Sequence, residues 1–123
     1  ADSVVLPDLD SAGGAGFAPV RHPRTMVGVA VGGRRLLLVT VDGRQPGYSA
    51  GMTLRESAQL MRDLGATQAL NLDGGGSTTM VVRRSWENAV RYTVANKPSD
   101  QEGERPVANA LAVISDPKRC LTR

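Results

Sequence analysis

An apolar run, Ala69–Leu72, ends in the acid Asp73. Gly74-Gly75-Gly76 and Ser77-Thr78-Thr79 follow, before a second apolar run, Met80–Val82. Glycine is costly to order, so three in succession mark a place where the backbone bends sharply or approaches something closely. Between two strands such a turn can point N–H groups at an anion. Asp73 and the hydroxyls of Ser77, Thr78 and Thr79 could then address a second part of the same ligand. A plain hairpin loop is the alternative for the glycines taken alone. Asp73 closes a buried-looking strand beside free backbone donors, a setting suited to a functional carboxylate. Its structural alternative is to cap its own turn.

Few other residues compete for chemistry. His22 is the only histidine, held extended in a loop by Pro23, so there is no Ser/His/Asp triad to argue from. Arg24 directly precedes a strand, where its direction is fixed, and its planar fork suits a phosphate or carboxylate as well as a surface ion pair. Asp42 lies in an Asp-Gly-Arg turn. Glu56 stands three residues after Thr53, the spacing of a capping box, and that structural role outweighs a catalytic one. Asn109 falls inside the apolar run Val107–Ile114, where a buried amide must be hydrogen-bonded, either within the site or to a ligand.

Composition removes several function classes. The 123 residues carry 15 basic and 12 acidic side chains, a net charge of +3 spread as isolated pairs. One Trp, two Tyr and one Phe leave little for stacking on bases, so no nucleic-acid partner is expected. A single Cys and a single His cannot assemble a zinc site, and no loop has the spacing of a hard-cation site; no metal and no cofactor are expected. No apolar run approaches the roughly 20 residues of a membrane span, and Ala1-Asp2-Ser3 does not open a signal peptide. The chain reads as cytosolic or as a mature form whose signal has been removed.

The elements that must position these residues follow from pattern. Residues 1–19 read as an irregular arm. Met26–Val31 and Leu36–Val41 read as strands joined at Gly32-Gly33, and Leu36-Leu37-Leu38-Val39, without alternation, predicts burial on both faces. Thr53, Glu56 and the helical spacing of Leu54, Ala58, Met61 and Leu64 predict a helix over 54–64, closed by Gly65. Strands are expected at Ala69–Leu72, Met80–Arg83, Ala89–Val94 and Val107–Ile114. The polar stretch Asn96–Pro106 reads as a surface loop. One helix among five or six strands is an α+β layout: a mixed, mainly antiparallel sheet with the helix on one face. The main unit spans 20–116 and a basic tail spans 117–123.

Taken in order, His22-Pro23-Arg24-Thr25, Val41-Asp42-Gly43-Arg44, Gly51-Met52-Thr53-Leu54 with Glu56, Asn71–Met80 and Glu104–Leu111 resemble the phosphodiester glycosidase family. The resemblance covers residues from about 17 to about 115. It implies hydrolysis of a sugar-1-phosphodiester on the sugar side, giving a free, N-acetylglucosamine-like sugar and a phosphomonoester. It also implies that these motifs form the C-terminal half of a larger two-half domain. The other half would come from a second polypeptide, or the chain would pair with its own copies. A secreted or cell-surface location is expected. Phosphate is already a good leaving group, so stabilising its charge matters more than protonating it. Arg24, the amides of Gly74, Gly75 and Gly76, and Ser77 or Thr78 could do so. Asp73 is the first choice for the carboxylate that activates water or attacks the anomeric carbon, and Glu56 the second. Thr25, Asp42, Arg105 and Asn109 complete the substrate-binding set the resemblance implies. The alternative is a non-catalytic subunit that binds sugar phosphate or completes a partner's sheet.

Overall fold

The computed structural model describes residues 13–86 and 89–115. In chain order the elements are β1 (Arg24–Ala30), β2 (Leu36–Val41), α1 (Leu54–Asp63), β3 (Ala66–Asn71), β4 (Val81–Trp86) and β5 (Ala89–Val94). β1 is central in a three-stranded antiparallel sheet of order β2-β1-β3, and β4 and β5 pair as a separate antiparallel hairpin. The fold is α+β, with the helix against one face of the larger sheet. The tail at 117–123 and most of the arm at 1–19 lie outside the described residues.

Strand β1 alternates strictly between buried and half-buried positions. Its inward side chains, Arg24, Met26 and Ala30, share a face with Leu37, Val39 and Val41 of β2, because Met26 pairs with Val39 and Arg24 with Val41. The β1–β2 turn needs left-handed backbone at Gly32 and Gly33, with φ of 76° and 66°, which glycine adopts without a Cβ penalty. Met61 of α1 drops onto the sheet beside Met26 and Ala66, and these three form the centre of a small core. Gly28 makes that approach possible, since a Cβ there would stand 2.5 Å from the Met61 terminal methyl.

Helix α1 begins as its sequence predicts. The Glu56 N–H donates to Thr53 Oγ1 at 3.2 Å, and the Thr53 N–H donates to Glu56 Oε2 at 2.9 Å. Glu56 also pairs with Arg21. The backbone bond at Thr53 holds the Glu56 carboxyl below the usual carboxylate range against the opposing effect of burial, with smaller help from the Thr53 hydroxyl and then Arg21. A carboxyl depressed in the folded state stabilises it above the unfolded pKa, about 4.3, and that contribution is lost as pH falls through the folded value. The thermal midpoints of wild type and Glu56→Gln should therefore differ at neutral pH and converge below about pH 4. A constant gap across the acid range would mean that the ionised cap contributes nothing.

Two expectations are corrected. Leu36–Val39 is not buried on both faces: Leu37 and Val39 face the core, whereas Leu36 and Leu38 remain 48% and 39% exposed. Register places Leu38 and Leu70 on either side of Val27, and Leu36 beside Val29, so the sheet face away from α1 carries an uncovered apolar row. Thr78 reaches Thr25 at one end of that face, and Leu36, Leu38 and Leu70 stay exposed beyond it. The second correction is Val107–Ile114, which forms no strand. Val107, Leu111, Val113 and Ile114 are 49–91% exposed. A strand is held by a neighbouring ladder, and the described residues supply none beside this segment. Asn109 is consequently exposed on irregular backbone rather than buried in a strand.

Candidate active site

Three backbone segments cross at the base of the site. His22 and Met52 exchange both N–H···O bonds, at 3.1 and 3.0 Å, and Gly51 and Gly43 pack onto the His22-Pro23 backbone. A Cβ at Gly51 would lie 2.3 Å from the His22 carbonyl, and one at Gly43 would lie 2.7 Å from the Pro23 nitrogen. Only glycine permits contact this close. The glycine turn is fastened to the same segment: the Gly75 N–H donates to Pro23 O at 2.9 Å and the Leu72 N–H to Thr25 O at 2.8 Å. Thr25 Oγ1 then reaches Thr78 Oγ1, which is buried, at 3.4 Å.

The turn uses most of its own donors. Gly74 N–H donates to Asp73 Oδ1 at 2.9 Å. The Ser77 and Thr78 N–H groups donate to Gly74 O and Gly75 O, both at 3.1 Å, closing a short 3-10 turn over Gly75–Ser77. Of the five amides from Gly74 to Thr78, only that of Gly76 has no acceptor among the described residues. The expectation of several free turn amides reduces to one. Asp73 does cap its turn, through Oδ1 alone; the side chain is exposed and Oδ2 has no partner among the described residues.

Arg24, expected to face a phosphate, is 1% exposed. Nε donates to Met52 O at 2.9 Å, and Nη2 donates to Phe17 O and Val20 O at 2.7 and 2.9 Å. The guanidinium also lies over the Phe17 ring at 4.6 Å. Desolvation, and then the nearby positive charge of Arg44, lower its pKa from the usual value. Nε and Nη2 are thus spent on backbone carbonyls, tying the 17–20 segment to the end of the 44–52 loop. Glu56 is similarly occupied, one oxygen on Thr53 and the other on Arg21. Asp42 accepts from the Lys97 N–H at 3.0 and 3.1 Å, from Asn96 Nδ2 at 3.1 Å and from the Tyr48 hydroxyl at 3.0 Å. That last bond pushes the Tyr48 pKa up. Asn96 in turn reaches Thr78 O at 2.9 Å, so Asp42 braces the hydroxyl run from behind.

Two arginines flank the glycines instead. A Cβ on Gly75 would lie 3.0 Å from Arg44 Nη1, and one on Gly76 would lie 2.4 Å from both Arg105 Nη2 and Asp100 Oδ1. Arg105 is ion-paired with Asp100 at 2.7 Å. Arg44 has φ of 55°, the left-handed region a non-glycine residue seldom occupies, and an open cleft of about 440 Å³ runs beside it along residues 44–50. The sequence places Arg44 within a motif, but its φ and its contact with Gly75 are not legible there. Among the described residues, no group of three or more His, Cys, Asp or Glu side chains is placed to hold a metal ion, and no helix is long and apolar enough to cross a membrane.

The phosphodiester glycosidase family model matches residues 3–114, nearly the whole chain and every segment just described. The chain belongs to the phosphodiester glycosidase family. Among its relatives is the mouse N-acetylglucosamine-1-phosphodiester alpha-N-acetylglucosaminidase, 37% identical over 84 residues, which are 68% of this chain and 14% of that protein. An uncharacterised SPbeta prophage-derived protein, YomE, of Bacillus subtilis strain 168 is 37% identical over 71 residues, 58% of this chain and 11% of its own length. A crystal structure of a Burkholderia pseudomallei K96243 protein, provisionally described as exported, superposes with a TM-score of 0.58 at 48% identity. It covers 69% of this chain and 14% of that one. The phosphodiester glycosidase chain described here thus spans about one-seventh or less of the length of these relatives.

Proposed function

We propose that this chain carries the hydrolytic site for a sugar-1-phosphodiester, cleaved on the sugar side to a free sugar of the N-acetylglucosamine kind and a phosphomonoester. Water adds to the anomeric carbon, the bond from that carbon to the phosphate oxygen breaks, and the phosphate leaves with the bonding electrons. Asp73 is the carboxylate that activates the water or attacks the anomeric carbon and supports an oxocarbenium-like transition state. The observation that carries this assignment is Asp73 Oδ2, without a partner among the described residues and next to a glycine turn that Arg44 and the Arg105–Asp100 pair flank. Glu56, with both oxygens engaged, is the weaker candidate. The name of the mouse relative supplies the sugar and the bond. The provisional description of the Burkholderia relative fits an extracytoplasmic location.

The test is release of free sugar from a sugar-1-phosphodiester by the 123-residue chain, followed with a paired assay for phosphomonoester. Equimolar appearance of both products supports the reading; release of an alcohol with sugar phosphate would place cleavage on the other side of the phosphate and overturn it.

The exposed Leu36, Leu38 and Leu70, beside half-buried Val27 and Val29, support a second polypeptide, or a second copy, packing on the sheet face opposite α1. Contiguous exposed apolar surface of this kind marks an interaction site. Sedimentation of the chain alone should show association, and Leu38→Lys combined with Leu70→Lys should return it to monomer. A wild-type chain that stays monodisperse and monomeric at high concentration would remove the partner.

A further inference from the structure

The positive charge around the glycine turn is not balanced. Arg105 has Asp100 and Arg21 has Glu56, but Arg44 meets no carboxylate among the described residues. Its one hydrogen-bond partner among the described residues is an imidazole: Arg44 Nε and Nη2 approach His22 Nδ1 at 3.3 and 3.1 Å. A guanidinium can only donate, so Nδ1 must present its lone pair. The other ring nitrogen, Nε2, lies 3.0 Å from Gly16 O, an acceptor, and must carry the proton. The two contacts together specify one neutral tautomer. His22 also stacks on Phe17, with centroids 6.4 Å apart, which fixes the ring plane. Arg44 is therefore held, by a ring that adds no charge of its own, with its Nη1 over Gly75.

We propose that Arg44, oriented by His22, is the residue that takes the non-bridging oxygens of the substrate phosphate. The inference rests on the sugar-phosphodiester reading for the identity of the ligand. The placement of the anion rests on the geometry alone. Nη1 of Arg44 has no protein acceptor among the described residues, and it lies over a glycine where any side chain would displace it. A phosphate oxygen there would accept a charge-assisted hydrogen bond of the kind a carboxylate partner would otherwise have taken. After desolvation, which is the larger cause, Arg44 adds to the lowering of the Arg24 pKa. An anion beside Arg44 would relieve that repulsion. His22 is a positioning residue: it touches the guanidinium and needs no contact with the ligand.

Calorimetric titration of the full chain with three probes tests this: a methyl diester of N-acetylglucosamine 1-phosphate, inorganic phosphate and free N-acetylglucosamine. Arg44→Gln should weaken the diester about tenfold to a hundredfold, the range for one charge-assisted bond. It should leave free-sugar affinity unchanged. Arg44→Lys keeps the charge without the fork and should lose less. His22→Phe removes the Nδ1 acceptor while keeping the ring stacked, and should weaken the diester in the same sense with no change for the sugar. Equal losses for diester and free sugar, or none, would overturn the assignment, as would a wild type that binds neither diester nor phosphate. Two further outcomes separate this inference from the proposed reaction. Arg44-dependent binding of inorganic phosphate without any diester hydrolysis would keep the anion site and remove the reaction. Hydrolysis that survives in Arg44→Gln at an unchanged KM would keep the reaction and remove the anion site.

Discussion

Asp73→Asn is expected to lower kcat/KM for a sugar-1-phosphodiester by at least about a hundredfold, the lower end of what a positioned acid–base group contributes. The substitution is close to isosteric. The amide oxygen can still accept from the Gly74 N–H, the bond that Asp73 Oδ1 makes at 2.9 Å, so the turn keeps its cap. What disappears is the negative charge at Oδ2, which is needed to take a proton from water or to face a developing oxocarbenium ion. The loss should lie in kcat, with KM and the thermal midpoint near their wild-type values, since nothing else is held by that oxygen. Near-normal turnover would move the role to another carboxylate. Glu56 would then have to leave both Thr53 and Arg21 to serve.

The second large effect concerns stability. Arg24→Met should destabilise the fold by about 1.5–3 kcal/mol, the usual worth of hydrogen bonds made by a charged group. Methionine replaces the stem and much of the packing against Phe17. It leaves the carbonyls of Phe17 and Val20 without the guanidinium donor they share, whereas Met52 O keeps the His22 N–H. Set against a total stability of about 5–15 kcal/mol for a domain, this is a large fraction. Arg24→Lys should recover only part of the loss, because three diverging carbonyls suit a planar fork better than a single ammonium. Chemical denaturation of the three proteins checks the order. If Arg24→Met unfolds at the wild-type midpoint but loses phosphodiester affinity, the arginine serves the ligand and the carbonyl contacts are incidental.

Local rules made much of the fold legible. The Thr53/Glu56 pair and the spacing of Leu54, Ala58, Met61 and Leu64 mark a helix whose ends follow from its own side chains, and the structure ends it one residue before Leu64. Strands β1 and β2 and the turn at Gly32-Gly33 were equally readable, because β-branched runs and paired glycines act within a few residues. Val107–Ile114 was not, since whether an apolar run becomes a strand depends on a neighbour it can pair with. The candidate site divides the same way. Asp73 and the glycine turn announce themselves by residue type and adjacency. Arg24 and Arg44 do not, being two arginines of equal chemistry on either side of Asp42-Gly43. The first turns inward to carbonyls, whereas the second lies over Gly75 in a left-handed conformation. No local pattern says which guanidinium finds acceptors and which is left for a ligand.

The crossing of the 22–23, 43 and 51 segments has a kinetic consequence. Bonds that assemble this region join partners far apart in the chain: 28 residues for Arg24 to Met52, 53 for Thr25 to Thr78 and 55 for Lys97 to Asp42. Each requires closing a long loop before it returns any enthalpy, and such contacts slow folding. The helix, by contrast, closes on partners three and four residues away. Refolding should therefore recover helical circular dichroism ahead of ligand binding, and the site should be the last part of the molecule to exist.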